Sequence, residues 1–291
     1  MILRPFKYVE CGSVDEATTT LKQYGDGARI IAGGTALVPM MKHRLLRPEV
    51  LVSVIQVPGL GDIAAGPDGG LRLGALATHW EISRSPLVKR ESPLLAYACG
   101  RVASPTVRSM ATLGGNLCYG ESASDPSPAL LALRARVRVV GSGGERTLPL
   151  TEFFTGFYET GLAEDEVLTA VEVPPLAPGA RWRYLKWVPR AQEDKALVGL
   201  AAVLVLDGRH CRMARLGLGG VAASPVVLRR TEQSLEGREL DERTSAEAGE
   251  VAAAEVEPME DLQGSADYRR DMLRVWVRRV VADLATGGGE R

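Results

Sequence analysis

Two short stretches of this 291-residue chain share one build. In Ala32-Gly33-Gly34-Thr35, and again in Leu113-Gly114-Gly115-Asn116, paired glycines follow an apolar, extended-looking segment and precede a short polar side chain. Glycine takes positive φ at no steric cost and leaves room for a ligand atom against the backbone. Consecutive exposed amides form an anion-binding concavity. The first loop runs straight into a helix-like segment, whose start adds partial positive charge. Thr35 and Asn116 can donate from their side chains. Read singly, each Gly-Gly is a tight turn. Read together, two such loops facing one another would hold a pyrophosphate from both sides without a lysine, and the tight-turn reading stays open beside that one.

The rest of the pattern sets the loops among strands and helices. A strand over 6–9 leads to Ser13-Val14-Asp15-Glu16, which reads as a capping box opening a helix to about residue 24. A buried strand over 28–32, a helix over 36–44 and a strand over 50–55 follow. Turn clusters at 58–61 and 66–70 mark a boundary near residue 60. Beyond it come a strand over 71–75, a second capping box at Thr78-His79-Trp80-Glu81, a helix over 93–102 and an extended stretch over 111–117. Asp125-Pro126 opens a helix to about 134, with proline in its first turn. Strands over 137–140, 148–150 and 167–173 close the segment. Pro174-Pro175-Leu176-Ala177-Pro178-Gly179 is a linker. Strands over 181–188, 197–206 and 211–218 then follow, the last two joined by the turn Asp207-Gly208. Helices over 224–235, 244–254 and 267–284 precede a frayed tail over 286–291. Strands followed by helices argue an α+β unit. The expected division is 1–60, 61–175 and 180–291.

Composition narrows the function classes. With 35 basic and 36 acidic side chains the formal charge is −1, so a nucleic-acid partner is not expected. No apolar run is long enough to span a bilayer, and the start lacks the apolar core of a secretory signal. Cys11, Cys99, Cys118 and Cys211 are scattered, as are His43, His79 and His210. Neither a metal site nor a disulfide framework is expected from them, and a reducing cytoplasmic compartment is the default. The 32 glycines exceed ordinary usage, and most fall in turns.

Gly217-Leu218-Gly219-Gly220-Val221-Ala222 fits the dinucleotide fingerprint G-x-G-x-x-A, with Glu236 near the place of a ribose-binding acid. Its strand follows a hairpin, however, so no βαβ unit surrounds it. Close packing of a strand against a helix is the better reading. Asp125 reads either as a plain helix N-cap or as an acceptor for a ribose hydroxyl, nine residues after Asn116.

Taken in order, Ala32-Gly33-Gly34-Thr35-Ala36-Leu37, Thr112-Leu113-Gly114-Gly115-Asn116 and Asp125-Pro126 resemble the FAD-binding medium subunit of molybdenum hydroxylases of the carbon monoxide, xanthine and nicotine dehydrogenase type. Further on, Tyr184-Leu185-Lys186, Arg190 with Asp194, Gly219-Gly220-Val221-Ala222, Ser224-Pro225 and Ser265-Ala266-Asp267-Tyr268-Arg269 resemble the family's C-terminal domain, so the likeness covers nearly the whole chain. The resemblance implies a vanillyl-alcohol-oxidase-like fold, with two α+β subdomains holding an extended FAD and a C-terminal α+β domain of antiparallel sheet and helices. It implies a first pyrophosphate loop of Ile30, Ile31, Ala32, Gly33, Gly34, Thr35, Ala36 and Leu37. The second would comprise Thr112, Leu113, Gly114, Gly115 and Asn116. Asp125 would lie toward the ribose and adenosine, and Val102, Leu168 and Lys186 would line the flavin nucleotide. Val102 stands where the xanthine dehydrogenase branch has an aromatic residue, and Tyr119-Gly120-Glu121-Ser122-Ala123-Ser124 is more acidic and polar than the family's usual run.

By the same resemblance, the chain would collect electrons from a small [2Fe–2S] subunit, whose large partner carries the molybdopterin cofactor, and pass them to an external acceptor. Lys186 and Arg190 are the candidate cations for tuning the flavin. The assembly would be a cytoplasmic dimer of heterotrimers, and no catalytic or metal-binding residue is expected in this chain. The alternatives are a self-contained flavin oxidase or dehydrogenase of the same fold, and a scaffold whose glycine loops are only turns.

Overall fold

The computed structural model describes residues 3–66, 69–191 and 193–288. Strand and helix alternate at the start, and the first sheet is accordingly parallel. β1 (Lys7–Glu10), α1 (Val14–Tyr24), β2 (Ala28–Ile31), α2 (Leu37–Lys42) and β3 (Val50–Ser53) form a three-stranded sheet in the order β1-β3-β2. Ser13 caps α1 by accepting from the Glu16 N–H at 3.1 Å. The return half of the expected capping box shifts by one residue: Glu16 Oε2 accepts from Gly12 N–H at 2.7 Å. Either arrangement satisfies a donor that the helix start leaves orphaned. Gly25 ends α1 with φ of 49°.

The second unit is antiparallel. It contains β4 (Ile63–Ala65), β5 (Leu71–Gly74), α3 (His79–Arg84), α4 (Pro86–Glu91), α5 (Pro93–Gly100), α6 (Pro105–Arg108), α7 (Leu113–Tyr119), α8 (Pro126–Ala132), β6 (Arg136–Gly141), β7 (Gly144–Pro149), β8 (Phe154–Gly156), β9 (Glu159–Thr160) and β10 (Val167–Val173). The sheet runs β4-β5-β10-β6-β7, and β8 pairs with β9 apart from it. The capping box at Thr78 and Glu81 is complete. Where an extended stretch was expected over 111–117, the chain is helical from Leu113. Thr112 Oγ1 accepts from the Gly115 N–H, and Gly120 stops the helix in the left-handed region at φ of 66°. Leu113 and Leu117, one turn apart, are both fully buried. A cap at each end and one buried face outweigh the weak helix propensity of two glycines.

The third unit is an antiparallel sheet, β11 (Arg181–Trp187), β12 (Val198–Asp207), β13 (His210–Gly219) and β14 (Val226–Val227), covered by α9 (Arg229–Leu235), α10 (Glu242–Glu255) and α11 (Ala266–Ala285). The helix expected from Ser224-Pro225 starts only at Arg229, because Val226 and Val227 first pair with Leu218 and Gly217. Every residue of α8 is buried. Its fit against β13 explains the glycine cluster there. A Cβ at Gly217 would stand 2.0 Å from the Pro128 carbonyl oxygen, and one at Gly219 would stand 2.7 Å from that of Ser122. The fingerprint-like sequence is therefore a packing surface in an antiparallel sheet. Residues 67 and 68 of the expected turn cluster, and 289–291 of the expected tail, lie outside the described residues.

Candidate functional site

The first glycine loop lies at the carboxyl end of β2, where open parallel sheets place their ligands. Gly34 is left-handed, with φ of 67°. Gly33 is required for a different reason. A Cβ there would stand 1.8 Å from the carbonyl oxygen of Met110, so the two loop regions pack backbone to backbone. Past Gly33 the chain turns into α2, and Val38 N–H donates to Gly34 O at 3.0 Å. Among the described residues, the N–H groups of Gly33, Gly34, Thr35, Ala36 and Leu37 donate to no protein acceptor. A run of unspent amides beside a helix start is a cradle for an anion.

The second loop is built otherwise. Leu113 N–H donates to Ala77 O at 2.9 Å, Gly114 N–H to Ala75 O at 2.8 Å, and Gly115 N–H to Thr112 Oγ1 at 3.2 Å. Its amides are spent on docking and capping α7, so the expectation of two matched amide cradles is corrected to one. Neither Gly114 nor Gly115 has positive φ. Gly114 is needed because Ala75 presses against it, its Cβ 2.6 Å from where a Cβ would stand. Gly115 is exposed. Asn116 Oδ1 accepts from Ser124 Oγ at 2.6 Å, which leaves its Nδ2 as a donor without a protein partner among the described residues.

Both loops open on one cleft of about 650 Å³, within the usual range for small-molecule sites. Of the residues expected to bind or tune the flavin, all but two contribute to its walls. Leu113 points into the core and is fully buried. Arg190 is not part of the wall; its side chain is 74 % exposed and pairs at 3.4 Å with Asp194, which is. Leu168 reaches the wall at a bulge in β10, where the register slips between Leu168 and Ala170.

Asp125 occupies the N-cap position of α8 without capping it. Instead Oδ1 accepts from Tyr184 Oη at 2.8 Å, and Oδ2 from Lys186 Nζ at 2.9 Å. Burial pushes the carboxyl up to about 6, against the pull of Lys186 and Tyr184. Lys186 Nζ also donates to Arg101 O at 2.9 Å. Two further carbonyls of that turn, Val102 O and Ala103 O, accept from Arg108 Nη1 at 2.7 and 2.6 Å. Ala103 itself is left-handed at φ of 36°, a conformation that persists only where its surroundings enforce it. Behind the second loop lies His79, fully buried and, among the described residues, with no partner on either ring nitrogen. Burial and the nearby Arg108 charge lower it to about 4, so the ring is neutral at pH 7.

Sequence reasoning missed Arg108, Tyr158 and Lys195 on these walls or behind them, and it named Tyr184 and Glu121 without giving either a role at the site. For Tyr184 a signal existed: it lies two residues from Lys186 on one strand and so shares its face. The others come from loops and short helices, which carry no such period.

Two family models together match most of the chain. One described as the FAD binding domain in molybdopterin dehydrogenase matches residues 4–176, and one described as the CO dehydrogenase flavoprotein C-terminal domain matches 183–284. The chain belongs to the FAD-binding medium subunits of the molybdopterin dehydrogenases. It is 36 % identical to the carbon monoxide dehydrogenase medium chain of Hydrogenophaga pseudoflava, over 97 % of both chains. To the nicotine 6-hydroxylase medium subunit of Paenarthrobacter nicotinovorans it is 33 % identical, over 97 % of this chain and 98 % of the relative. Among solved structures, a carbon monoxide dehydrogenase chain from Hydrogenophaga pseudoflava superposes with a TM-score of 0.95 at 34 % identity, covering 100 % of each chain. As a medium subunit the protein is an oxidoreductase component with an FAD-binding domain. The molybdenum and iron–sulfur cofactors of its family belong to other subunits. No helix of the described residues is long and apolar enough to cross a membrane.

Proposed function

We propose that this medium subunit holds one FAD in the cleft between its glycine loops, receives electrons from the [2Fe–2S] clusters of a small partner subunit and delivers them to an external acceptor. The observation that carries the reading is the run of five unspent amides from Gly33 to Leu37, which fits a diphosphate. Thr35 and Asn116 add side-chain donors. Ile30, Ile31, Ala32, Ala36, Leu37, Val102, Thr112, Gly114, Gly115 and Leu168 supply the walls for the rings and sugar, and Leu113 anchors the second loop from the core. With both carboxylate oxygens engaged, Asp125 acts on the ligand through Tyr184 and Lys186, whose places it sets. When bound, FAD supplies one- and two-electron redox chemistry. The chain's own tasks are to bind, orient and shield it.

The amide cradle also explains why a chain of near-neutral charge suffices for an anionic dinucleotide. The proposed units, 1–60, 61–175 and 180–291, are supported by a separate main sheet in each. Relatives named as medium chains support an assembly with other subunits; we propose that it is a cytoplasmic dimer of heterotrimers, in which a large subunit carries the molybdopterin.

Reconstitution tests the reading. The apo chain is expected to retain FAD, with flavin absorbance after gel filtration, and to lose riboflavin, which lacks phosphate. Equal loss of both overturns it.

A further inference from the structure

The stretch Tyr119-Gly120-Glu121-Ser122-Ala123-Ser124 brings an acid to the cleft wall. Glu121 follows α7, Tyr158 lies in the β8–β9 hairpin and Lys195 in the connection between β11 and β12; all three line the cleft. Glu121 Oε2 accepts from Tyr158 Oη at 2.6 Å and also from Lys195 Nζ, which stands 3.4 Å from Tyr158 Oη.

The three groups differ in exposure and packing. The Glu121 side chain is 11 % exposed and that of Lys195 54 %. Tyr158 is fixed from several directions. Its φ is 56°, and Tyr119 and Phe157 pack on its ring at centroid distances of 5.0 and 4.6 Å. Acid and phenol are thus held among neighbouring groups, whereas the lysine side chain is half exposed. Among the described residues of this connection, Arg190 pairs with Asp194, and Asp194 also accepts from Ala191 N–H. Among the described residues, the Lys195 amine alone carries hydrogen bonds from this segment to the wall of the second unit.

We infer that Lys195, seated on Glu121 and Tyr158, is a clasp that closes this side of the cleft over bound FAD and sets how fast the cofactor leaves. The inference rests on the proposed FAD site. A partly exposed ion pair is a weak contact. It suits a latch that opens during cofactor loading better than one that holds the fold together. Lys195 is accordingly a positioning residue.

The full-length chain, loaded with FAD and diluted, reports release through recovery of flavin fluorescence. Lys195→Ala and Glu121→Gln are each expected to release FAD about three- to tenfold faster. The double variant should be no faster than either single, as a shared contact requires. Lys195→Arg should stay close to wild type, and melting of the apo chain should be unchanged by Lys195→Ala. Unchanged release in Lys195→Ala overturns the clasp, as does equally fast release in Lys195→Arg. A wild-type chain that retains no FAD overturns the flavoprotein reading and the clasp together.

Discussion

Lys186 Nζ and Asp125 Oδ2 lie 2.9 Å apart with side chains only 7 % and 6 % exposed, so a cation and an anion share one desolvated site where β11 meets the start of α8. Such a pair is costly to split, because the group left behind stays buried and charged. Through Arg101 O the same ammonium also holds the turn that carries Val102. Lys186→Met is therefore expected to destabilise the apo chain by about 3 kcal/mol in urea unfolding. Adding Asp125→Asn should recover part of that loss, since an amide needs no counter-charge. Equal stability of wild type and Lys186→Met would contradict the buried pair.

The pH dependence of stability carries two opposed contributions near the cleft. Asp125, raised from 3.8 to about 6, binds its proton more tightly folded than unfolded. Its contribution is present below about pH 4 and is lost as pH rises to 6. His79, lowered from 6.5 to about 4, works the other way: its contribution is present above 6.5 and is lost as pH falls to 4. The two therefore oppose one another over the same window, between about pH 4 and 6.5. Relative to wild type, His79→Leu is expected to gain stability as pH drops from 6.5 to 4, and Asp125→Asn to lose it. Parallel pH profiles for all three proteins would refute both assignments.

The glycines separate into folding and binding classes. Gly33→Ala drives a Cβ into the Met110 carbonyl and should unfold the apo chain at markedly lower temperature, with FAD retention lost as a consequence. At Gly115 an added Cβ meets only Thr112 Oγ1, 2.8 Å away. The lost cap and the gained helix propensity, each about 1 kcal/mol, offset one another. Gly115→Ala should melt near wild type yet bind FAD more weakly, because its methyl group lies at an exposed position of the cleft wall. A large melting shift in Gly115→Ala would put that glycine in the folding class as well. Gly219→Ala belongs there already, through Ser122 O and Pro128.

Strand and helix order was readable wherever one period ran long enough: β10, β12, β13 and α11 lie within a residue or two of their expected bounds. Pieces too short to show a period were not, among them α4, α6, β4 and the β8–β9 ribbon. The two glycine loops were legible as sites but not as different devices. Nothing local distinguishes an amide spent on Ala75 O from one left free at Thr35, because that depends on which strand end lies opposite. Asp125 shows the same limit. Its place before Pro126 reads as a cap, and only the long-range approach of Tyr184 and Lys186 turns its carboxylate elsewhere.

Cysteine accessibility offers a direct readout of the cleft. Cys11, Cys99 and Cys211 are buried, whereas Cys118, one turn into α7, is exposed on the cleft wall. The surrounding walls still hold its thiol up at about 12, so little thiolate exists at neutral pH. A thiol reagent should accordingly modify one cysteine of the native apo chain, slowly at pH 7 and faster as pH rises toward 10. Bound FAD should suppress that reaction by covering the wall. Mass spectrometry after labelling locates the adduct: modification at Cys118 that is insensitive to FAD would place the dinucleotide elsewhere, and first modification at Cys99 would contradict the buried α5 core.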